Sequence, residues 1–337
     1  MPGVGGEGVS VVAAAAAPRA SILLLAYRMG ATIREALESA VAQTVPCEII
    51  VSDDASPAPD EGFVIAEAFA REYRGPHRLV VRRNETNLGL CAHINVVAAE
   101  ATAAILLFQA GDDRSHPDRA ARALAFFDAH PDVALVGTTV DEIDAAGVVI
   151  ARRTRDPGFR RADQRWLLER GSFVCLLGAS MAMRRFVLDD LPPLQGMVED
   201  NMITLRAALF GEVHCLDEPW LDYRIHAGNL HGWVFAHGGG PDAKRQRYER
   251  TLRMYAEIAD DAERCARTAA VPEPRRALGL QLAAMYRIEA NARRAMLEGR
   301  KRDWWPHIVA GFRHPGLRRK SLERLLKLAV PRRFLKL

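Results

Sequence analysis

Ala103-Ala104-Ile105-Leu106-Leu107-Phe108-Gln109-Ala110-Gly111-Asp112-Asp113 joins an apolar run to two adjacent carboxylates. The run from Ala103 to Phe108 has the length and composition of a buried strand. The Gln-Ala-Gly step then delivers Asp112 and Asp113 at its C-terminal end, the edge where open α/β sheets bind ligands. Adjacent carboxylates repel unless a cation lies between them. Hard divalent ions such as Mg²⁺ take oxygen ligands and commonly share them with phosphates. Taken alone, Gly-Asp-Asp is equally well explained as an acidic turn before a helix that Pro117 helps to start.

Outward from this stretch, strands and helices alternate. Strands are expected at Ser21–Ala26, Glu48–Val51, Arg78–Arg82 and Val133–Val140. Helices are expected near 31–43, 60–73, 91–100 and 118–129, the first with Ile33, Leu37, Ala40 and Val41 on one face. This order predicts an α/β fold, a mostly parallel sheet with helices on both faces. After residue 150 the alternation breaks down. Helix 161–169, a short strand around Ala179–Met183, helix 199–210 and strand Glu212–Leu216 read as a mixed extension of the same sheet. From about 241 the pattern is helical, with long segments near 243–268 and 273–299, and Pro306 and Pro315 dividing the remainder. Gly238-Gly239-Gly240-Pro241 is the best boundary signal. The expected organisation is a disordered Gly/Ala-rich tail at 1–18, a catalytic α/β domain at 19–237 and a basic helical segment at 238–337.

Composition narrows the class. The 337 residues suffice for one large core plus an accessory segment. Cys47, Cys91, Cys175, Cys215 and Cys265 are widely spaced without a CxxC pair, which argues against a zinc site or disulfide framework and for a reducing compartment. No apolar run reaches the ~18 residues of a spanning helix. Val9–Ala17 is short and no basic residue precedes it, so it does not make a convincing signal peptide. A cytoplasmic protein is expected. The net charge of +4 conceals an asymmetry: residues 301–337 hold 11 Lys and Arg against 2 Asp and Glu, a balance of +9, and the rest stands at −5.

Four further features stand at the ends of expected elements. Tyr27, past the first strand, could stack on a planar base. Asp53-Asp54 ends the second strand, where a carboxylate can accept from a base N–H or a ribose hydroxyl. Asn87-Leu88-Gly89 can form a tight turn that brings backbone N–H groups to a ligand, since Gly89 can take positive φ and Asn87 favours turns. Glu199-Asp200 opens a helix, where a carboxylate either caps the helix or serves as a general base. Each has a structural explanation of its own.

In order and spacing these words resemble the family 2 glycosyltransferases, from about Ala20 to Gly232. The resemblance rests on Ser21–Tyr27, Glu38–Thr44, Val51-Ser52-Asp53-Asp54-Ala55-Ser56, Asn87-Leu88-Gly89 with Asn95, Gly111-Asp112-Asp113 with Pro117-Asp118-Arg119, Glu199-Asp200 and Tyr223–Asn229. It implies a GT-A, Rossmann-like fold and an inverting transfer from a nucleoside-diphosphate sugar, UDP-sugars being favoured, to a glycan or lipid-linked acceptor in surface polysaccharide or glycan synthesis. By the same carry-over Tyr27 packs on the nucleobase, Asp54 binds it with Asp53 beside it, and Asn87 and Gly89 line the nucleotide. Asp112 lies near ribose and metal. Asp113 coordinates Mg²⁺ or Mn²⁺, and His226 stands near the diphosphate or metal. Asp200 is the catalytic base, with Glu199 positioning the acceptor. Gly178-Ala179-Ser180 falls on the acceptor side.

The chain departs from the family pattern at Ile94 (usually Arg), Arg28 (usually Asn) and Ala55 (usually Gly). His93 or Arg28 could then supply phosphate contacts. His226 and His231 are equally readable as hydrogen-bonded structural residues. Two rivals remain. A nucleotidyltransferase on a similar sheet is disfavoured by Glu199-Asp200 and the Tyr223–Asn229 word. A catalytically silent nucleotide-sugar-binding scaffold is disfavoured by the joint presence of Asp54, Asp113 and Asp200. At the C-terminus, Leu317, Leu322, Leu325, Leu326 and Ala329 can share a helix face flanked by Arg318, Arg319, Lys320, Arg324 and Lys327, after Trp304 and Trp305. This segment, 301–337, is a candidate for peripheral membrane contact or for packing on its own protein. Nucleic acid is not expected.

Overall fold

A computed structural model of the protein describes residues 10–12, 17–172, 174, 176–226 and 241–330, with backbone alone at 10–12 and 241–244. In chain order the strands are β1 (Ser10–Val12), β2 (Ala20–Ala26), β3 (Glu48–Asp53), β4 (Arg78–Arg83), β5 (Ile105–Ala110), β6 (Arg114–Ser115), β7 (Val133–Thr138), β8 (Val140–Ile143), β9 (Val149–Thr154), β10 (Arg161–Ala162), β11 (Ala182–Arg184), β12 (Glu212–Leu216) and β13 (Leu221–Arg224). The helices are α1 (Ile33–Val41), α2 (Gly62–Glu72), α3 (Leu90–Glu100), α4 (Arg119–Ala129), α5 (Gln164–Arg170), α6 (Phe186–Asp189), α7 (Glu199–Ala208), α8 (Pro241–Ala266), α9 (Arg275–Glu298), α10 (Lys301–Phe312) and α11 (Arg318–Ala329). Short 3₁₀ turns occupy Gly178–Ser180 and Pro315–Leu317.

The chain divides into two compact units. One comprises Met1–Arg161, Cys175–Ala207 and Gly211–Ile225; the other comprises Ala162–Val174, Ala208–Phe210 and His226–Leu337. The boundary expected at Gly238–Gly240 falls outside the described residues. Compactness divides the chain at Ile225 instead, and the second unit takes α5 from within the stretch expected to be one α/β domain.

The first unit is built on a nine-stranded sheet in the order β1-β4-β3-β2-β5-β11-β7-β12-β10. β4, β3, β2 and β5 run parallel, as the βα alternation requires. Their runs are buried throughout except at a few terminal positions, because helices cover both faces. α1 shows the expected stripe, burying Ile33, Ala36, Leu37 and Ala40 against the sheet core. β11 inserts antiparallel between β5 and β7, the mixed extension expected after residue 150.

Three expectations need correction. Ser10–Val12 lies within the stretch read as a disordered tail, yet it pairs antiparallel with β4. An edge strand leaves backbone donors and acceptors open, and this segment satisfies them. The strand expected at Val133–Val140 ends at Thr138, and Val140 begins a second, four-stranded sheet in the order β6-β13-β8-β9. The Thr139 N–H bonds to the Leu216 carbonyl at the crossing, 3.0 Å away. Pro306 lies inside α10 rather than ending it. It stands on the exposed side within the first two turns, and only one helical N–H bond is lost there.

The second unit packs α8 along α9, whose buried face runs from Gly279 through Leu282, Met285 and Tyr286 to Met296. Both long helices fall within two residues of the expected bounds. Glu289 is fully buried on that face and accepts from Arg293 and Arg324, each at 2.8 Å. Cys47, Cys91, Cys215 and Cys265 are buried free thiols; Cys175 lies outside the described residues.

Glu48 opens β3 with no exposed surface. Its carboxylate accepts the Thr102 N–H at 2.7 Å and the Thr102 hydroxyl at 3.1 Å, and also bonds Ser21 and Arg78. One side chain thus fixes the starts of three adjacent strands. Replacing it strands several buried partners. Glu48→Ala is expected to lower stability by about 2–3 kcal/mol, read as a shift in the denaturant midpoint.

Candidate active site

The register of the parallel strands decides what converges. Ala26 at the end of β2 stands opposite Asp53 at the end of β3, and Leu25 stands opposite Ala110 at the end of β5. Tyr27-Arg28, Asp53-Asp54 and Gly111-Asp112-Asp113 therefore leave the sheet side by side, where parallel sheets present ligand sites. Their backbones are joined: Asp54 N–H donates to the Ala26 carbonyl, and Gly111 N–H to the Leu25 carbonyl, both at 2.9 Å.

The Asp-Asp-Ala-Ser word is a closed turn. Asp53 accepts from the Ser56 N–H at 2.9 Å and the Ser56 hydroxyl at 2.5 Å, and pairs with Arg83 at 3.2 Å. The Ser56 hydroxyl also accepts the Arg28 N–H at 2.7 Å. Arg28 and Ala55 both sit at positive φ, 59° and 57°. These are the two positions where the family usually has Asn and Gly, the residues that tolerate the left-handed region best.

Asp54 shapes the next loop. Oδ1 accepts from Asn84 Nδ2 (2.7 Å) and Leu88 N–H (2.9 Å), and Oδ2 accepts from Gly89 N–H (3.0 Å). Asn87 Nδ2 donates to the Asp54 carbonyl at 3.1 Å. Three bonds leave a carboxylate with room for one more donor. Gly89 has φ 75°, and a β-carbon there would meet no atom within 4 Å. The space over the start of α3 is open for a ligand to approach its backbone.

Asp112 and Asp113 are unequal. Asp113 is wholly buried; Oδ1 accepts the Arg224 N–H at 2.9 Å, and Oδ2 has no partner. Burial first, then the charge of Asp112, pushes the Asp113 carboxyl well above its usual range, against the Arg224 N–H bond. Arg224 itself is buried. Its Nε donates to the Asp112 carbonyl (2.8 Å), its Nη1 to the Asp144 and Ala145 carbonyls (3.0 Å each), and its Nη2 pairs with Glu35. Arg119 approaches from the other side, fully enclosed, and burial pushes it down to about 10 against the attraction of Asp113.

Arg119 also carries the site across the sheet. Its Nη2 donates to the Phe108 carbonyl on β5 (2.6 Å) and to Ala179 in the 178–180 turn (2.8 Å). Glu199 rests on that same turn: a β-carbon at Gly178 would stand 2.3 Å from Glu199 Oε1. Asp200, beside it, accepts from Asn201 N–H (2.6 Å) and Nδ2 (3.0 Å) through Oδ1. Burial, then the charge of Asp200, pushes Glu199 up to about 8.

Tyr27 is part-exposed with the Arg28 guanidinium 5.2 Å from its ring centre. A cleft of about 550 Å³ opens beside Arg28, lined by Pro57, Asp60, Glu61 and Ile65. None of Asp54, Asp112 or Glu199 lines it. Asn95 holds Leu194 through two bonds of 2.9 Å, and His93 bonds Ser52 at 2.7 Å within the core. Both act inside the fold, so the phosphate contact suggested for His93 is replaced by a structural one. His226 falls in the second unit; His231 and the rest of its motif, 227–229, lie outside the described residues. The contacts of Arg119 and Arg224 were missed in the sequence, although each sits inside a motif word.

The Glycosyl transferase family 2 model matches residues 21–191. The chain belongs to that family. This family 2 member is 32% identical over 145 residues to "Putative glycosyltransferase EpsE" of Bacillus subtilis (strain 168), covering 42% of this chain and 51% of that protein. The chain thus spans about half the length of the curated relative it matches. Among solved structures it is similar to S. aureus TarS 1–349 in complex with UDP-GlcNAc, with TM-score 0.56, 18% identity, and 90% and 82% of the two chains covered. It is also similar to the mannosyltransferase PcManGT from Pyrobaculum calidifontis in complex with GDP-Man and Mn²⁺, with TM-score 0.53, 17% identity, and 96% and 84% covered. These likenesses show the GT-A type of fold.

At φ 57° a β-carbon is strained, so Ala55→Gly should raise stability by about 0.5–1 kcal/mol, measured by chemical unfolding. The folded chain keeps the Glu199 proton between 4.5 and about 8, where the unfolded chain has lost it. The unfolded state then binds fewer protons, so this part of the stability falls as pH rises through that window. Glu199→Gln should remove that slope, and the stability difference between variant and wild type should grow toward pH 8.

Proposed function

We propose that this protein moves a sugar from a nucleoside-diphosphate sugar to an acceptor hydroxyl with inversion at the anomeric carbon, in the cytoplasm, during synthesis of a surface polysaccharide or related glycan. The observation that carries the reading is the chain of contacts Glu199–Gly178–Ala179–Arg119–Phe108. It brings the helix-opening carboxylates to the strand that ends in Asp112-Asp113.

The donor nucleotide would lie over the aligned ends of β2, β3 and β5. Tyr27 would face the base, Asp54 would use its remaining acceptor site for a base N–H, and the backbone around Asn87 and Gly89 would approach the nucleotide. The residues fit a divalent ion. Asp112 and Asp113 are adjacent carboxylates, and the second keeps a buried oxygen without a partner. Among the described residues no cluster of three or more His, Cys, Asp or Glu could hold a metal. Mg²⁺ or Mn²⁺ would be held by one or two of these carboxylates and completed by substrate phosphates and water. Such an ion would supply charge stabilisation to the departing diphosphate.

The acid–base step falls to α7. Burial and the charge of Asp200 push Glu199 up to about 8. Glu199 keeps its proton near neutral pH and would donate a hydrogen bond to the acceptor. Asp200, oriented by Asn201, would take the acceptor proton as the new C–O bond forms and the anomeric carbon–phosphate oxygen bond breaks. A single displacement needs no enzyme nucleophile. Contact with a membrane through residues 301–337 belongs to the same reading, since a lipid-linked acceptor is held at that surface.

Nucleoside diphosphates with Mn²⁺ should raise the melting temperature of the wild type, and Asp112→Asn should abolish the metal-dependent part. Asp200→Asn should keep that shift and lose about 10²–10⁴-fold in turnover. No shift with any nucleotide in a folded sample would overturn the reading. Unchanged turnover in Asp200→Asn would move the base elsewhere.

A further inference from the structure

The last two helices of the second unit each carry an apolar stripe that nothing described covers. On α11, Trp304 and Ile308 of α10 and Met296 of α9 form a small core against which Leu325 and Leu328 pack. Ser321 and Arg324 are buried on the same side. Leu322 and Leu326, one turn apart, face away from it and are 50% and 65% exposed, with exposed Ala329 beside them. On α10, Trp304, Ile308 and Gly311 are buried, whereas Trp305, Val309 and Phe312 follow at i, i+4 and i+7 and stay exposed, Trp305 at 53%. Exposed large apolar residues in register on one helix face need an occupant.

Charge selects it. Arg302, Arg313, Arg318, Arg319 and Lys327 are exposed around these stripes, and the sequence continues with Arg332, Arg333 and Lys336. Asp303 and Glu323 are the only acidic residues in 301–337. A second copy docking through the same face would bring like charges together. An anionic bilayer attracts the arginines and accepts the leucines and Trp305 at the headgroup boundary. Neither helix crosses it: no described helix is long and apolar enough to span a membrane.

We propose that α10 and α11 form a docking surface for a bilayer rich in anionic phospholipid, with Leu322, Leu326 and Trp305 entering the interface and Arg318, Arg319 and Lys327 facing the headgroups. The surface names the partner for the membrane contact in the functional reading, but it stands without the transfer chemistry, since an inactive chain would dock equally well.

Co-sedimentation of the full chain with phosphatidylglycerol-containing vesicles and with pure phosphatidylcholine vesicles tests it. The wild type should bind the anionic vesicles about tenfold or more better than the neutral ones, and salt should weaken the binding. Leu322→Ser with Leu326→Ser leaves every charge in place and should lower the partition by about one order of magnitude. Both residues are exposed, so melting temperature and the nucleotide-induced shift should match the wild type. A failed nucleotide shift with retained vesicle binding would strike the transfer reading alone. No binding to anionic vesicles, equal binding to both kinds, or unchanged binding by the double variant would overturn the docking surface. So would a lipid-free dimer that the double variant dissolves, which would give the face to a second copy.

Discussion

The site depends on a buried guanidinium. A sheet that ends in two adjacent carboxylates, one of them without access to water, must supply positive charge from its own side chains. Arg224 does so from β13 and Arg119 from α4, and both are buried. Arg224 is placed to do more than neutralise. Through its backbone N–H and its three side-chain nitrogens it holds Asp113, the Asp112 carbonyl, the 144–145 turn and Glu35 at once. Losing one partner of such a buried set costs about 3–5 kcal/mol, because the other charge is left without compensation. The second sheet therefore has a reason to exist: it is the platform that carries Arg224 to the end of β5.

Burial and a neighbouring carboxylate raise one member of each carboxylate pair, Asp113 and Glu199. Asp112-Asp113 is built around cations and keeps one oxygen open, an arrangement suited to sharing a metal with phosphates. Burial and the charge of Asp200 leave a proton on Glu199 near neutral pH. Gly178 is what allows this pair to sit where it does, since a side chain there would occupy the position of the Glu199 carboxylate.

β2 to β5 and the helices between them were legible because these strands are buried on both faces, and buried parallel strands leave unbroken apolar runs. The long helices α8 and α9 were legible for the complementary reason, a sustained stripe over many turns. The small second sheet was not. β9 is mostly exposed, β6 has two residues, and the turn between β8 and β9 depends on Asp144 accepting from Ala146 and Val148 with Gly147 at φ 81°. Those are side-chain and backbone details that periodicity does not carry. The motif words did not disclose the internal duties of Asp53, Asp54 and Arg224, because a word gives spacing and says nothing of which atoms are already bonded.

The departures at Arg28 and Ala55 turn on the same distinction. In sequence, Arg in place of Asn and Ala in place of Gly look like changes in chemistry at the nucleotide edge. In the structure both residues occupy the left-handed region, where Asn and Gly are at home and Ala and Arg are strained by roughly 1–2 kcal/mol each. One small network holds them there: Asp53 binds Ser56, and Ser56 binds the Arg28 N–H. The loops after β2 and β3 are thus tied through a single hydroxyl. A chain that keeps strained backbone at two adjacent strand ends must hold it with bonds stronger than the strain, and the Asp53 carboxylate is the group that can supply them. Asp53 is thereby committed to the turn through Ser56, and Asp54 to the 84–89 loop through Asn84, Leu88 and Gly89.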